Sequence, residues 1–294
     1  MVTRPAQQIP GVYHRTLGDM HIVALSDGLL FRDHTMMRGV DAAAARGMLN
    51  AAFRTSFELS VNAFLVFSGD HIVLIETGSG DYLGPAAGKL LASLAVTGVA
   101  PAEIDTILLT HMHPDHSAGL TDMTTGQAHY PNAELVVHEN EPRHWFDDAA
   151  MARGTDREKK LMFQQAREQT MPYRKRMRTF SKGEVVPGIT ALPSHGHTPG
   201  HTSYLLQSGG ESLLIWGDVV HFPEVQFQRP DVSMVVDVDP EAAAVSRRRM
   251  MDMAASDRLL VTGMHLHFPG FGHVEKAAGH NGFRFIPEAW RQTL

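Results

Sequence analysis

The sequence predicts a layered α/β domain, and three observations support this prediction. Short apolar, β-branched runs alternate with helical patterns along the 294 residues, which is typical of sheets covered by helices. No linker-like segment and no tandem repeat divides the chain, so we expect a single domain over residues 1–294. Polar clusters rich in histidine directly follow several predicted strands, where loops can aim side chains into one cleft.

The first part of the chain combines predicted strands with two predicted helices. The strands are Met20–Leu25, Ala63–Phe67, His71–Ile75 and Ile104–Leu109. The turn Ser68-Gly69-Asp70 predicts a hairpin between the second and third of these strands. Apolar residues at helical spacing predict helices over Asp41–Phe53 and Pro85–Thr97.

The second part of the chain repeats the alternation of strands and helices. Its predicted strands are Glu134–His138, Ile189–Leu192, Thr202–Gln207, Ser212–Trp216 and Arg258–Thr262. Asp239-Pro240 joins an N-cap to proline at the first helical position and predicts a helix to about Ala255. The polar stretch Thr155–Phe180 is predicted to be helical, and is either a cap over a site or a solvated helix. We interpret its basic run, Tyr173–Arg178, as a solvated surface.

The composition limits the chemistry that the chain can perform. Because the sequence has no cysteine, disulfides, thiolate metal sites and a cysteine nucleophile are excluded, whereas 18 histidines are present. The net charge of -6 counts against binding of nucleic acid. The N-terminus has no signal-peptide pattern, and no apolar run approaches the roughly 18 residues that span a bilayer. We therefore expect a soluble, cytoplasmic protein without a membrane or nucleic-acid partner.

The strongest chemical signal is the run His111-Met112-His113-Pro114-Asp115-His116, which follows a predicted strand. Alternate residues of an extended segment point the same way, so His111 and His113 can reach one ion. Asp115 and His116 lie beyond the bend at Pro114 and can face a second ion. Four potential ligands within six residues indicate a metal centre.

Three further clusters also lie at predicted strand ends. They are His195-Gly196-His197-Thr198-Pro199-Gly200-His201, Trp216-Gly217-Asp218 and Gly263-Met264-His265-Leu266-His267. We expect one histidine of the first cluster to be a ligand and the others to pack or hydrogen-bond nearby. The carboxylate of Asp218 can bridge two cations with its two oxygens.

Together the clusters offer enough nitrogen and oxygen ligands for two divalent ions with open positions for water. Such a ligand set suits Zn²⁺, and also Mn²⁺, Co²⁺ or Fe²⁺. Two ions about 3.5–4 Å apart can hold a bridging hydroxide that attacks a carbonyl or phosphoryl centre. The residues thus predict a metal-dependent hydrolase that needs no protein nucleophile.

These motifs also carry a family resemblance. The run THMHPDH, the loop GHTPGH, the Gly-Asp after a strand and the late His265 resemble the metallo-β-lactamase superfamily. Longer segments, among them GDVVHFPEVQFQRPDV and HLHFPGFGHV, look like its methyl parathion hydrolase and lactonase group. The resemblance implies an αβ/βα sandwich, in which two mixed sheets pack face to face with helices outside, as one domain over residues 1–294.

The resemblance also implies a role for each candidate ligand. His111, His113 and His197 would hold one ion, and Asp115, His116 and His265 would hold the other. Asp218 would bridge both ions. Asp115, which would also handle a proton, and Asp218 are the expected catalytic residues. His201 would be structural, and His195 would support the site or be exposed.

Two positions depart from the pattern of related enzymes. Glu76 stands where relatives commonly have aspartate, which supports the metal site indirectly. His221 stands where many acyl-homoserine lactonases have a tyrosine that contacts the substrate carbonyl, and this residue favours the methyl parathion hydrolase group. We further expect His221, Phe222, Trp145 and Phe268 to line the substrate pocket.

An apolar, aromatic pocket suits lactones, aryl esters and neutral organophosphates. The preferred interpretation is a lactonase or arylesterase with promiscuous phosphotriesterase activity. The alternatives are a dedicated organophosphorus hydrolase of the methyl parathion hydrolase type, a β-lactamase and a thioester hydrolase. Exposed-looking apolar stretches near the N-terminus and in residues 222–236 also predict a homodimer.

Overall fold

A computed structural model describes residues 8–279 and 281–293 of the chain. Its strands alternate with helices along the sequence, as predicted. The strands are β1 (Val12–Leu17), β2 (Met20–Arg32), β3 (Met37–Arg38), β4 (Phe57–Ser68), β5 (His71–Ile75), β6 (Thr106–Leu108), β7 (Glu134–His138), β8 (Met177–Phe180), β9 (Gly183–Val186), β10 (Ile189–Pro193), β11 (Thr202–Ser208), β12 (Glu211–Ile215), β13 (Ser233–Met234), β14 (Leu260–Thr262), β15 (Gly272–Lys276) and β16 (Phe283–Pro287).

The helices are mostly short, and the last of them is the longest within the described ranges. They are α1 (Ala42–Ala51), α2 (Leu90–Val96), α3 (Pro114–Ser117), α4 (Asn140–Trp145), α5 (Asp148–Arg153), α6 (Asp156–Glu158), α7 (Gln165–Thr170), α8 (Pro223–Gln226) and α9 (Pro240–Ser256). A π-helical turn, Lys159–Gln164, connects α6 to α7. Among the described residues, we find no helix with the length and apolar character needed to cross a bilayer.

Two seven-stranded mixed sheets organise the fold. The first has the order β1-β2-β4-β5-β6-β7-β8, and the second has the order β16-β15-β14-β12-β11-β10-β9. In the first sheet β5 to β8 run parallel, and in the second only the neighbours β12 and β14 do so. This arrangement confirms the predicted α/β class and the metallo-β-lactamase sandwich.

Apolar side chains of both sheets form the central core. Phe64 and Ile75 of the first sheet belong to the same buried cluster as Leu206 and Ile215 of the second. Burial of such side chains is the main favourable contribution to folding. A second cluster joins the first sheet to α2, and another, which includes Met250 of α9, joins that helix to the second sheet. The layers are therefore helix, sheet, sheet and helix.

Several predicted boundaries differ from the structure for identifiable reasons. The helix predicted over Pro85–Thr97 begins only at Leu90, because the carboxylate of Asp27 accepts the backbone N–H groups of Gly88 and Leu90. The helical stretch predicted over Thr155–Phe180 extends too far, because Met177–Phe180 is strand β8 and pairs parallel with β7. Hydrogen bonding to a sheet edge overrides the local helical pattern there.

The apolar stretch 222–236 does not form the exposed face that the sequence suggested. Phe222, Val225 and Val232 are buried within the chain, in a cluster with side chains of α1. Most hydrophobic residues of this stretch are therefore packed in the interior of the molecule, which leaves little apolar surface there for a dimer contact.

Candidate metal centre

The ends of neighbouring strands bring the four histidine and aspartate clusters to one place. His111 and His113 follow β6, Asp218 follows β12, and His265 follows β14. The loop between β10 and β11 adds His197 from the second sheet. Because loops at the ends of adjacent strands converge, residues that lie far apart in sequence become neighbours.

His111, His113 and His197 form the first ligand group. Each offers one ring nitrogen, these three nitrogens lie within 4.8 Å of one another, and all three side chains are buried. The Nδ1 atom of His113 lies 2.9 Å from the Nε2 atom of His197. Three imidazoles at this spacing can bind one divalent cation.

Asp115, His116 and His265 form the second ligand group, which also meets the 4.8 Å limit. Asp115 Oδ1 lies 3.6 Å from His116 Nε2, and Asp115 Oδ2 lies 3.5 Å from His265 Nε2. The Asp115 side chain is 16% exposed, whereas His116 and His265 are closed off from solvent. Asp115 is therefore the member of this group that faces the open cleft.

Asp218 lies between the two groups and contacts both. Its Oδ2 atom is 3.2 Å from His197 Nε2 and 3.2 Å from His265 Nε2, and its Oδ1 atom is 3.2 Å from His116 Nε2. His201 holds the backbone of Asp218, since its Nε2 atom accepts the Asp218 N–H at 2.9 Å. The structure thus brings together all seven residues for which the sequence predicted metal binding.

The chemistry of these donors fits two cations. The Nε2 atoms of His111 and His116 and the Oδ1 atom of Asp218 are buried without a hydrogen-bond partner. Buried polar atoms are normally satisfied, so unpaired imidazole nitrogens beside a buried carboxylate are suited to bind metal. The first group would hold one ion, the second group the other, and Asp218 could reach both.

Charge interactions within the centre perturb its histidines strongly. Burial lowers the pKa of His197, but hydrogen bonds and charge attraction from Asp218 and Asp237 outweigh it and raise that pKa to about 9. Burial also lowers the pKa of His116, but the charges of Asp218, Asp115 and Glu76 raise that pKa well above its ordinary value. In the metal-free chain these imidazoles therefore hold protons that a cation would displace.

Hydrogen bonds to the outer ring nitrogens orient the ligands. His265 Nδ1 donates to the backbone carbonyl of Ser60 at 2.7 Å, and His197 Nδ1 lies 2.7 Å from the Asp237 carboxylate. These bonds leave the Nε2 atom of each ring free for metal. Sequence reasoning missed Asp237, because this single carboxylate precedes α9 and belongs to none of the motifs.

Glu76 supports the second group, as its position suggested. Its Oε2 atom lies 3.4 Å from His116 Nδ1, and its Oε1 atom accepts the backbone N–H of Thr110 at 2.8 Å. The residue has a φ of 71°, a left-handed conformation that is uncommon outside glycine. Strain of this kind is tolerated at functional sites where the surroundings fix the backbone.

Comparison with known proteins is consistent with this centre. The family model for the metallo-beta-lactamase superfamily matches residues 57–265. The chain belongs to this superfamily. A solved structure described as the hydrolase AbOPH in the beta lactamase superfamily is 32% identical, covers 97% of this chain and 100% of its own, and has a TM-score of 0.91.

Two further proteins are similar to this chain, one in structure and one in sequence. The dizinc quorum-quenching lactonase AidC, solved with a homoserine product, is 24% identical, covers 97% of this chain and 100% of its own, and has a TM-score of 0.89, which shows a shared fold. An uncharacterized protein of Bacillus subtilis, YobT, is 28% identical over 159 residues, which are 54% of this chain and 61% of that protein. The match to YobT thus spans less than two thirds of its length.

Two of the four predicted substrate-pocket residues lie beside residues of the candidate metal centre. His221 Nε2 lies 3.0 Å from Asp218 Oδ2, and its ring stacks on His265. The Trp145 ring packs against His113 with ring centroids 5.4 Å apart, and it lines the cavity outside the centre.

The other two predicted pocket residues lie elsewhere. Phe222 is buried in the cluster beside α1, where its ring packs edge-on against Phe57. Phe268 lines a separate cavity with Tyr13 and Trp290. Each is close to a site loop in sequence, but neither lines the cavities beside the metal centre, so a role for them in the substrate pocket stays a prediction.

A cleft with two compartments leads to the metal centre. An inner cavity of about 70 Å³ contacts Asp115, Asp218 and His221, together with apolar side chains such as Leu30 and Met234. An outer cavity of about 630 Å³ contacts His113 and Trp145 and is covered by residues 153–163. The first part of the predicted polar stretch therefore lines both cavities, whereas its basic run lies outside them.

Proposed function

We propose that this superfamily member is a dinuclear metal-dependent hydrolase that opens lactones and cleaves related esters. One observation carries the proposal above all others. The Oδ1 atom of Asp218 contacts His116 of the second ligand group. Its Oδ2 atom contacts both His197 of the first group and His265 of the second. A buried carboxylate shared between two ligand groups suits two neighbouring cations, because each of its oxygens can bind one of them.

The side chains have distinct roles in this proposal. The first ligand group would hold one ion, the second group would hold the other, and the Asp218 carboxylate could reach both. Bound divalent ions lower the pKa of water to around 7 and polarise the carbonyl oxygen of a substrate. Asp115, the partly exposed ligand, is placed to accept a proton and pass it to the leaving oxygen.

The shape of the cleft supports a small cyclic ester as the reacting group. The inner cavity has room for a small ring, and apolar residues Leu59, Met162 and Met234 exclude water around it. The outer cavity is large enough for an acyl chain. The neighbour AidC, described as a lactonase with a bound homoserine product, supports the same substrate class.

Organophosphate hydrolysis is the alternative that we retain, either as a side activity or as the main one. Two cations stabilise the oxygens of a phosphoryl displacement as they do those of an acyl transfer. Trp145 and Phe163 also give the outer cavity an aromatic wall that an aryl leaving group could contact. Cleavage of β-lactams is less favoured, because enzymes of that type generally lack the bridging aspartate.

The test is a screen of the zinc-loaded protein against five substrate classes under the same conditions. The substrates are a γ-lactone, an N-acyl-homoserine lactone, an aryl ester, an aryl phosphotriester and a cephalosporin. We expect the highest kcat/KM with a lactone. A clear lead for the phosphotriester would make the protein an organophosphorus hydrolase, and a lead for the cephalosporin would contradict the proposal.

A matched pair of variants ties the activity to the centre. His197→Asn removes a proposed ligand, whereas His195→Asn changes a half-buried histidine of the same loop that belongs to neither ligand group. We expect activity to fall only in the first variant. Equal losses in both variants would show that the loop, and not the ligand, limits the reaction.

The homodimer remains a proposal of its own. Because most apolar residues of the stretch 222–236 are buried, we infer that the interface lies elsewhere on the surface. Large exposed apolar side chains of the described residues include Phe53 (95% exposed) and Trp290 (74% exposed). Light scattering should give twice the mass of the chain if the protein is a dimer, and the mass of one chain would exclude it.

A further inference from the structure

Glu141 is a fully buried carboxylate that belongs to neither ligand group. It lies on α4 and is 0% exposed. Burying a carboxylate is unfavourable unless hydrogen bonds replace its hydration. Such a group therefore needs an explanation in terms of the donors that surround it.

Four hydrogen bonds satisfy the two oxygens of Glu141. Its Oε2 atom accepts the backbone N–H of Met112 at 2.9 Å and the indole N–H of Trp145 at 2.7 Å. Its Oε1 atom accepts the backbone N–H of Gly200 at 2.8 Å and the hydroxyl of Thr198. Every partner donates, so the geometry suits an ionised carboxylate.

The donors of Glu141 are adjacent in sequence to one ligand group. Met112 lies between His111 and His113, and Thr198 directly follows His197. Glu141 thereby joins two loops, one after a strand of each sheet, that together supply the three imidazoles. A shift of either loop would separate nitrogens that now lie within 4.8 Å of one another.

The second ligand group is held by different contacts. His116 faces Glu76, and His265 donates to the carbonyl of Ser60. Glu141 makes no hydrogen bond to Asp115, His116 or His265 among the contacts of the described residues. Its effect should therefore be confined to one side of the centre.

We propose that Glu141 is a positioning residue that selectively assembles the metal site formed by His111, His113 and His197. The proposal rests on the dinuclear centre described under Proposed function. Gly200 provides independent evidence of close fit, because a Cβ atom at that position would lie 2.8 Å from Glu141 Oε1. The loop approaches the carboxylate as closely as glycine allows.

The test compares Glu141→Gln with a matched control, Asp27→Asn. The glutamine amide cannot accept all four hydrogen bonds, since its nitrogen is a donor. Asp27 is equally buried and accepts the backbone N–H groups of Ser79, Gly88 and Leu90, none of which is adjacent in sequence to a proposed ligand. Both variants lose a buried carboxylate, but only the first loses one beside the ligands.

The readout is bound zinc, measured by elemental analysis after equilibration with a chelator buffer. We expect Glu141→Gln to keep one ion with the affinity of the wild type and to bind the other about 10–100-fold more weakly. Asp27→Asn should keep both affinities, although its melting temperature falls. Gly200→Ala, which retains the carboxylate but displaces it, should reproduce the selective loss even if Glu141→Gln fails to fold.

Other outcomes would overturn the proposal. Wild-type affinity for both ions in Glu141→Gln, or in Gly200→Ala if that glutamine variant is unfolded, would show a merely structural carboxylate. Equal weakening of both ions would show that Glu141 is not selective. Failure of the proposed function is distinguishable from these outcomes, because it would appear in the wild-type protein, which would then not bind two ions.

Discussion

The metal centre and the segment that covers it differ in almost every physical respect. The seven proposed ligands lie on short segments that follow strands, Asp115 and His116 among them on α3, and six of the seven are buried. The cover, residues 153–163, is largely exposed, and a π-helical turn at Lys159–Gln164 interrupts its helix. π-helical turns are frequent at functional sites. From this difference we propose that the centre determines the reaction and that the cover influences which substrates reach it.

The largest expected effect comes from removing a ligand. His113→Asn and His265→Asn each delete an imidazole from a different ligand group. We expect each variant to lose affinity for its own ion and to lower kcat/KM by about 10²–10³-fold or more, because the charge that stabilises the transition state is lost. Elemental analysis and steady-state kinetics on the same sample would measure both. Full metal content and full rate in either variant would show that the ligand assignment is wrong.

The next largest effect is the pH dependence of the stability of the metal-free protein. The pKa of His197 is raised to about 9 in the folded chain, above the ordinary 6.5. The protonated form therefore stabilises the metal-free fold fully below pH 6.5, and this contribution is lost as the pH rises through 9. We expect the melting temperature of chelator-treated protein to fall over this interval.

The pH dependence of zinc affinity should also reveal the protonation of His197. The ion needs neutral His197, so affinity for it should rise about tenfold per pH unit from about pH 7 towards 9. Calorimetry in buffers of different ionisation enthalpy would count the protons released. Binding without proton release at neutral pH would contradict the perturbed pKa.

A smaller loss is expected for Asp237→Asn, which changes the group that orients His197. The carboxylate accepts the Nδ1–H of that ring, and asparagine could present its amide nitrogen there instead. We expect the metal affinity of the first group to fall about 10–100-fold, while the Asp115 group keeps its ion. Asp239→Asn is a control, because the Asp239 side chain caps α9 at Ala242 and does not contact a ligand. Similar losses in both variants would argue against the orienting role.

The smallest effect on the centre should come from the cover. Met162 lines both the inner and the outer cavity and belongs to neither ligand group. Met162→Trp should reduce the space for an acyl chain, so we expect KM to rise several-fold for long-chain lactones and to change little for short ones. Bound zinc should stay at the wild-type level. A parallel loss of zinc would show that cover and centre are not separate.

The features that the sequence could predict are those with a local pattern. The predicted bounds of His71–Ile75 and Glu134–His138 match the structure, because short β-branched runs directly specify buried strands. The run from His111 to His116 places four potential metal ligands within six residues, so it could be recognised without the structure. The fold then brings the distant His197, Asp218 and His265 to the same place.

The features that could not be predicted depend on long-range contacts. Glu141 and Asp237 are single carboxylates outside every motif, and only the fold shows that they meet the ligand loops. Phe222 and Phe268 do not line the cavities beside the metal centre, because adjacency in sequence does not fix side-chain direction. The strand Met177–Phe180 forms because β7 offers it an edge, a fact that is absent from its own residues.

Anomalous X-ray diffraction from crystals of the zinc-loaded protein would test the central claim most directly. We expect two zinc peaks in each chain, one beside His113 and His197 and the other beside Asp115 and His265, with Asp218 between them. A single peak within the cluster would contradict the dinuclear centre. Zinc found only elsewhere, for example at the exposed pair of His14 and His21, would contradict the ligand assignment altogether.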